Sequence, residues 1–384
     1  MASYHLSAQV VKRSEGRSVV AMAAYRAGAK LKDERRGIEA DYSYRRGVAY
    51  AEIMTPDGSA AWLSDRETLW NYVERIEVRK DAQLAREINM ALPHELDAAQ
   101  RLALVRSFVR EQFVLQGMVA DFAIHEPVAE KGDDPRNFHV HVLLTLRQAE
   151  ARGLRGVKTR AWNSDAMLLL WRAAWAEYQN RALENARHPA RVDHRSLLVR
   201  KADAAAHNDR AAARVLDREP EIHVGPKARK AVAAKTPPSR DLSKGAKKRE
   251  VRYTQIDRGS RNDWNRNILS RNASAFALVA NKTENQIARL RLRRNRYELS
   301  LKSFANASSS TRVDEKPFRT RDAAVFHQMK RIRQVEWLIA ELEKVLRAII
   351  GVREMTLVRR TFWTLRTQER EALKARLRSG RSRI

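Results

Sequence analysis

The chain has 384 residues, enough for one large domain or two medium ones, and contains no cysteine. Disulfides and thiolate metal sites are therefore excluded, a reducing cytoplasm is the expected compartment, and any transition-metal site must use histidine and carboxylate. The net charge of +29 is uneven, with 31 basic against 26 acidic residues in 1–200 and 44 against 20 in 201–384. That excess makes a polyanion, nucleic acid before membrane, the expected partner. No uncharged apolar run reaches about 18 residues and the N-terminus lacks a secretory pattern, so a soluble chain without membrane insertion is expected.

Residues 3–11 alternate loosely and read as a first strand. Ser18 is placed to cap a small-residue helix over Val19 to Lys30, rich enough in alanine to lie close to a sheet. Residues 33–50 are charged and tyrosine-rich, with Asp41-Tyr-Ser-Tyr-Arg-Arg at their centre, and read as a loop and a short strand. Basic residues interleaved with aromatics can contact phosphates and stack on bases, although ordinary surface tyrosines have the same composition. Ser64 or Asp65 caps a helix through Leu69, Trp70, Val73 and Ile76, and the stretch from Leu84 to Leu92 reads as a strand or helix edge. Asp97 starts an amphipathic helix to about Gln116, ended by Gly117.

Two alternating stretches follow. Val119 to His125 ends in a histidine, and Phe138 to Leu146 carries His139 and His141 on one face, because successive strand residues point to opposite sides. Paired as a hairpin, the strands bring His125 beside His139 and His141, a set able to hold a divalent ion with open positions. Arg152 to Arg160 reads as a basic, glycine-bearing loop in which Arg152, Arg155, Lys158 and Arg160 can meet phosphate, or simply be solvated. Asn163 caps a helix to about Ala186. The order defines an α+β domain, an antiparallel sheet packed by helices.

Residues 201–252 turn rich in Ala, Lys, Arg and Pro and read as a basic linker, part helical and part disordered. Beyond it, Ile332, Val335, Ile339, Leu342, Leu346 and Ile349 step by three and four, the seam of a helical hairpin or coiled coil whose arms are separated by Ala307 to Thr311. The expected division is 1–200, 201–252 and 253–384, the last mostly α-helical with a basic, fraying tail.

A histidine-held ion can polarise a phosphoryl oxygen, and the charge balance favours a phosphodiester. Covalent chemistry needs a nucleophile, and with no cysteine the candidate is Tyr25, on the helix directly after the first strand, with Arg26 beside it. A packing tyrosine and a solvated arginine are the alternatives. Asp121, four residues before His125 on the same strand face, is a candidate partner for a histidine, or else a solvated carboxylate.

These residues carry a family likeness. Gly16-Arg-Ser-Val-Val-Ala-Met-Ala-Ala-Tyr-Arg-Ala-Gly28 resembles the first motif of the MobA/MobL relaxases, the Q class of plasmid mobilisation proteins, and Phe138-His-Val-His-Val-Leu-Leu-Thr145 resembles their histidine-pair motif. The stretches 82–88, 117–125, 158–163 and 192–196 are similar too, the last containing Asp193 and His194, to which no chemistry is assigned. The likeness covers about residues 1–200. No P-loop motif occurs anywhere, which argues against an ATP-driven motor.

The resemblance implies an HUH-type endonuclease fold with the three histidines at the sheet centre and Mg²⁺ or Mn²⁺ as cofactor, although three imidazoles by themselves suit Zn²⁺ or Mn²⁺ better than Mg²⁺. It implies that Tyr25 attacks one strand of single-stranded or melted DNA at a plasmid transfer origin. A 5′-phosphotyrosine forms, and the reverse reaction rejoins the strand. By the same likeness Glu87 accepts the tyrosine proton or orients a histidine, with a surface salt bridge to Arg86 or Arg79 as the alternative. Relaxosome accessory proteins and a type IV secretion coupling protein are the implied partners, and the Arg-rich tail a secretion signal. A rolling-circle replication initiator with the same chemistry, and a non-catalytic nucleic-acid-binding protein, are the competing readings.

Overall fold

The structure is a computed structural model that describes residues 4–131, 133–222, 261–306 and 315–380. It divides into two compact units, Met1–His194 and Arg195–Ile384.

The first unit is built on a five-stranded sheet whose neighbouring strands all run antiparallel, in the order β1-β5-β7-β6-β4. Its strands are β1 (Leu6–Lys12), β4 (Val48–Met54), β5 (Gln83–Ala91), β6 (Ala120–His125) and β7 (His139–Leu144). The stretch read as a strand or helix edge is thus β5, lying between β1 and β7. Strand alternation separates two cores. Ile88, Met90, Phe122, Ile124, Val140, Val142 and Leu144 face helices α3 (Ala98–Gln112) and α4 (Asp165–Asn185), where Phe108 meets Trp175 with ring centroids 4.8 Å apart. Val11, Ala85, Val119 and Leu143 face helices α1 (Val19–Ala27) and α2 (Arg66–Ile76). The histidines belong to the second face.

Local chemistry explains how α1 is placed. Ser18 accepts the Ala21 N–H at 3.2 Å as N-cap, and Val19, Val20, Ala23 and Ala24 are buried, so the small side chains bring the helix close to the sheet. Gly28 ends it at φ 61°, and a Cβ there would lie 3.2 Å from Val48 Cγ2, so both backbone and packing require glycine. Asp97 forms a full capping box with Gln100 at the start of α3, and Asp65, rather than Ser64, caps α2. Ser164, not Asn163, caps α4, because the Asn163 side chain is held by Arg86.

A stretch read as a loop and a short strand, and another read as a loop, contain hairpin strands. Residues 33–50 contribute β3 (Ile38–Asp41), which pairs with β2 (Lys30–Asp33), and the start of β4. Their alternation was masked because the buried position after Leu31 is Asp33, satisfied by Ser18 Oγ at 2.5 Å and the Arg36 N–H at 3.1 Å. Residues 152–160 contain β9 (Gly153–Lys158), paired with β8 (Arg147–Glu150).

In the second unit, residues 201–222, read as linker, belong largely to packed helices α5 (Leu197–Ala206) and α6 (Arg210–Leu216), and Ala211 packs with Phe276 and Ile349. The rest of the expected linker, 223–252, and the separator Ala307 to Thr311 lie outside the described residues. Helices α7 (Arg261–Asn306) and α8 (Glu315–Gly380) pack along the expected seam, with Ile287, Val335 and Ile339 in one cluster and Phe276, Val345, Ile349 and Val352 in the next. Among the described residues, no helix is long and apolar enough to cross a membrane.

Candidate active site

Cross-strand register assembles the histidines. His125 on β6 lies directly opposite His139 on β7, and His141 lies opposite Ala123, whose methyl leaves the face open. The three ring centroids are 5.0–5.2 Å apart, and one nitrogen from each ring lies within 4.8 Å of the others.

The second ring nitrogen of each histidine fixes its tautomer. His125 Nε2–H donates to the Arg26 carbonyl at 2.7 Å, His139 Nδ1–H to the Asn137 carbonyl at 2.9 Å, and His141 Nδ1–H to Glu87 Oε1 at 3.0 Å. Each ring therefore keeps one lone pair: Nδ1 of His125 and Nε2 of His139 and His141. His125 Nδ1 is buried with no hydrogen-bond partner, an arrangement a metal ligand resolves and a purely structural histidine does not. Burial, reinforced by neighbouring positive charge, depresses all three, His125 to about 3 and His141 to about 4, so the rings are neutral and able to ligate at pH 7. The donor set fits a divalent ion.

Glu87 holds this arrangement from β5. It pairs with Leu143, two residues from His141, which makes it a diagonal neighbour of that histidine, and only 2% of its surface is exposed. Its Oε1 accepts from His141 and from Arg26 Nε at 2.6 Å, while Oε2 accepts from Gln9, directly opposite on β1. Burial opposes its charge, but the His141 hydrogen bond and Arg26 prevail and hold it at about 2. A carboxylate so occupied orients His141 and is a weak base for a phenol. Neither Arg86 nor Arg79 is its partner: Arg86 reaches the Trp162 carbonyl and Asn163, and Arg79 pairs with Asp81 at 3.0 Å. Glu87→Gln is expected to lower metal affinity about 10–100-fold, measured by chelator competition. Unchanged affinity would show that His141 needs no carboxylate behind it.

Arg26 is not a solvated arginine. Its guanidinium is bound to Glu87 and its carbonyl, one of the unpaired acceptors at the end of α1, takes the His125 N–H. The residue before it, Tyr25, is 39% exposed, an exposure that a nucleophile open to substrate and a half-buried packing tyrosine share. Its ring meets Tyr42 edge-on at 5.2 Å, and the Arg45 guanidinium lies 3.7 Å from its centroid while donating to the Tyr25 carbonyl. Gln9 was not singled out from the sequence and Arg45 only as part of the tyrosine-rich stretch able to contact phosphates; strand register reveals the role of the first and the fold of the β3–β4 connection that of the second.

Asp121 shares the histidine face but serves another purpose. It accepts from Arg66 at 2.8–3.1 Å and from Trp70 Nε1 at 2.8 Å, anchoring α2 to the sheet, and among the described residues no histidine is bonded to it. Asp121→Ala should destabilise the fold by about 3–5 kcal/mol, because Arg66 loses the partner of its partly buried charge. Chemical unfolding would measure this, and ion uptake by the folded fraction should persist. The candidate phosphate contacts lie on or beside the β8–β9 hairpin, separate from the five-stranded sheet. Lys158 is bound to Glu77 at 2.7 Å and Arg155 to Glu150 at 3.2 Å, whereas Arg152 and Arg160 are exposed. Asp193 and His194, 3.9 Å apart, end the first unit.

An antiparallel sheet presenting three clustered imidazoles that could hold a metal ion, with an accessible tyrosine on the helix whose end is bonded to His125, defines a class of histidine-triad, tyrosine-bearing α+β domains. Comparison with known proteins gives the family. The model of the MobA/MobL family matches residues 17–235, more than half of the sequence, and the chain belongs to that family. It is 36% identical over 255 residues to the mobilization protein MobL of Acidithiobacillus ferridurans, covering 59% of this chain and 63% of that one. It is 31% identical over 309 residues to the conjugal transfer protein TraA of Agrobacterium fabrum, covering 73% of this chain and 26% of that one. The chain thus spans less than two thirds of either relative. A solved structure described as "Molecular Basis of Vancomycin Resistance Transfer in Staphylococcus aureus" aligns with 51% of this chain and all of that one at 32% identity, with a TM-score of 0.45, too low to bear on the fold.

Proposed function

We propose that this chain is a DNA relaxase that nicks one strand at a plasmid transfer origin and rejoins it after transfer. The observation that carries this is the bond from His125 to the Arg26 carbonyl, which joins the end of the tyrosine helix to the histidine set. Relatives named for mobilization and conjugal transfer support it.

In the forward step Tyr25 Oη forms a bond to phosphorus and the P–O3′ bond breaks. The phenolic proton passes to water and the 3′ oxygen takes one from water. The product is a 5′-phosphotyrosine and a free 3′-hydroxyl, and because the phosphodiester energy is kept in the ester, rejoining needs no nucleotide. His125, His139 and His141 would hold a divalent ion, Mg²⁺ or Mn²⁺ by family likeness, which supplies charge to neutralise a phosphoryl oxygen. Glu87, with Arg26 and Gln9 on its oxygens, keeps His141 in its ligating tautomer. The domain is proposed to end near residue 200. Arg152 and Arg160, with the basic helices α7 and α8, would then contact DNA backbone, and relaxosome proteins and a secretion coupling protein would act with the chain in the cytoplasm.

Purified chain with Mn²⁺ should form a covalent adduct, stable on a denaturing gel, with a single-stranded oligonucleotide spanning the plasmid's transfer origin. No adduct overturns the reading, and an adduct confined to a replication-origin oligonucleotide assigns the chain to replication initiation.

A further inference from the structure

The positive charges at this site are not balanced alike. Arg26 is neutralised by Glu87, which also serves His141. Arg45 is half-buried in the turn after β3, its N–H donating to the Tyr42 carbonyl at 2.9 Å, and among the described residues no carboxylate pairs with it. Its contacts are the Tyr25 ring and the Tyr25 carbonyl. With Glu87 matched to Arg26, the guanidinium on the Tyr25 ring is left without a counter-charge. Leaving such a charge partly desolvated is unfavourable unless an anion arrives.

We propose that Arg45 is a catalytic residue that holds the scissile phosphate, pairing a non-bridging oxygen with guanidinium donors left free by its bond to the Tyr25 carbonyl. The inference rests on the relaxase reading above. A planar guanidinium matches two phosphate oxygens, so the residue that stacks on the Tyr25 ring also sets the distance between that ring and phosphorus. Arg45 keeps its proton throughout. It stabilises the phenolate as it forms and the added negative charge on the phosphoryl oxygens while the Tyr25 Oη–P bond forms and P–O3′ breaks.

The test uses the full chain and two readouts. In single-turnover adduct formation on the transfer-origin oligonucleotide, Arg45→Met should be slower by about 100-fold, and Arg45→Lys, which keeps the charge without the planar fork, should fall between. In filter binding on a Tyr25→Phe background, a neutral methylphosphonate at the mapped cleavage position should weaken binding about tenfold with Arg45 present. The same change should cost severalfold less with Arg45→Met, leaving only the share owed to the ion. Wild-type rates in Arg45→Met, or an undiminished methylphosphonate penalty in the double variant, overturn the inference while wild-type adduct formation upholds the relaxase reading. Without a wild-type adduct both fall. Should Arg45→Met fail to fold, judged by thermal unfolding, the Lys variant carries both measurements, and equality with wild type in each overturns the inference.

Discussion

Tyr25→Phe is expected to abolish the covalent DNA adduct, by at least about three orders of magnitude in rate, while leaving fold, ion uptake and oligonucleotide binding intact. The substitution removes one heavy atom. A phenylalanine at this position retains the ring that meets Tyr42 edge-on and that Arg45 covers, and the residue's carbonyl still accepts from Arg45. The residue is 39% exposed, so deleting its hydroxyl should hardly move the melting temperature. The measurement is a denaturing gel beside a binding isotherm on the same oligonucleotide. An adduct surviving in the variant places the nucleophile elsewhere, whereas loss of both binding and adduct points to a structural tyrosine.

His141→Ala should lower divalent-ion affinity by more than about 100-fold, since it removes a ligand rather than its support. The loss should be visible in stability as well. At an ion concentration 100 times its dissociation constant the wild-type fold gains about 2.7 kcal/mol, a gain the variant should lack at that concentration. Thermal unfolding with and without Mn²⁺ reads this, and an equal rise in both proteins would remove His141 from the site. The pH dependence has a definite sign. His141 is depressed to about 4 and His125 to about 3, so the unfolded chain binds protons that the folded site refuses. The ion-free protein is therefore fully stabilised by these groups above their unfolded value of about 6.5 and loses that contribution as pH falls toward 4 and 3. Ion binding should extend the folded range downward, because protons must displace the ion to charge the rings.

Much of the site was legible in one dimension. Alternation placed His139 and His141 on one face, and the capped, alanine-rich segment after the first strand marked Tyr25 as lying on a helix close to a sheet. Local rules suffice there, since period and capping are properties of neighbouring residues. Asp121 shows their limit. Strand parity correctly put it on the histidine face, but parity says nothing of which helix covers that face, and α2 brought Arg66 and Trp70 to claim the carboxylate. The basic stretch 152–160 shows another, for its charges hid a hairpin that binds Lys158 to Glu77.

By itself, then, the sequence determined the strand carrying two histidines, the helix carrying Tyr25 and the helical seam after residue 330. Each follows from periodicity or capping. Only the tertiary structure decided that β5 lies between β1 and β7, and with it that Glu87 faces both Gln9 and His141. It alone decided that the carbonyl of Arg26 ends on His125 and that Arg45, 20 residues beyond Tyr25, covers its ring. Sheet order and the docking of a helix end depend on long-range pairing, and no short-range pattern encodes which distant strand becomes a neighbour.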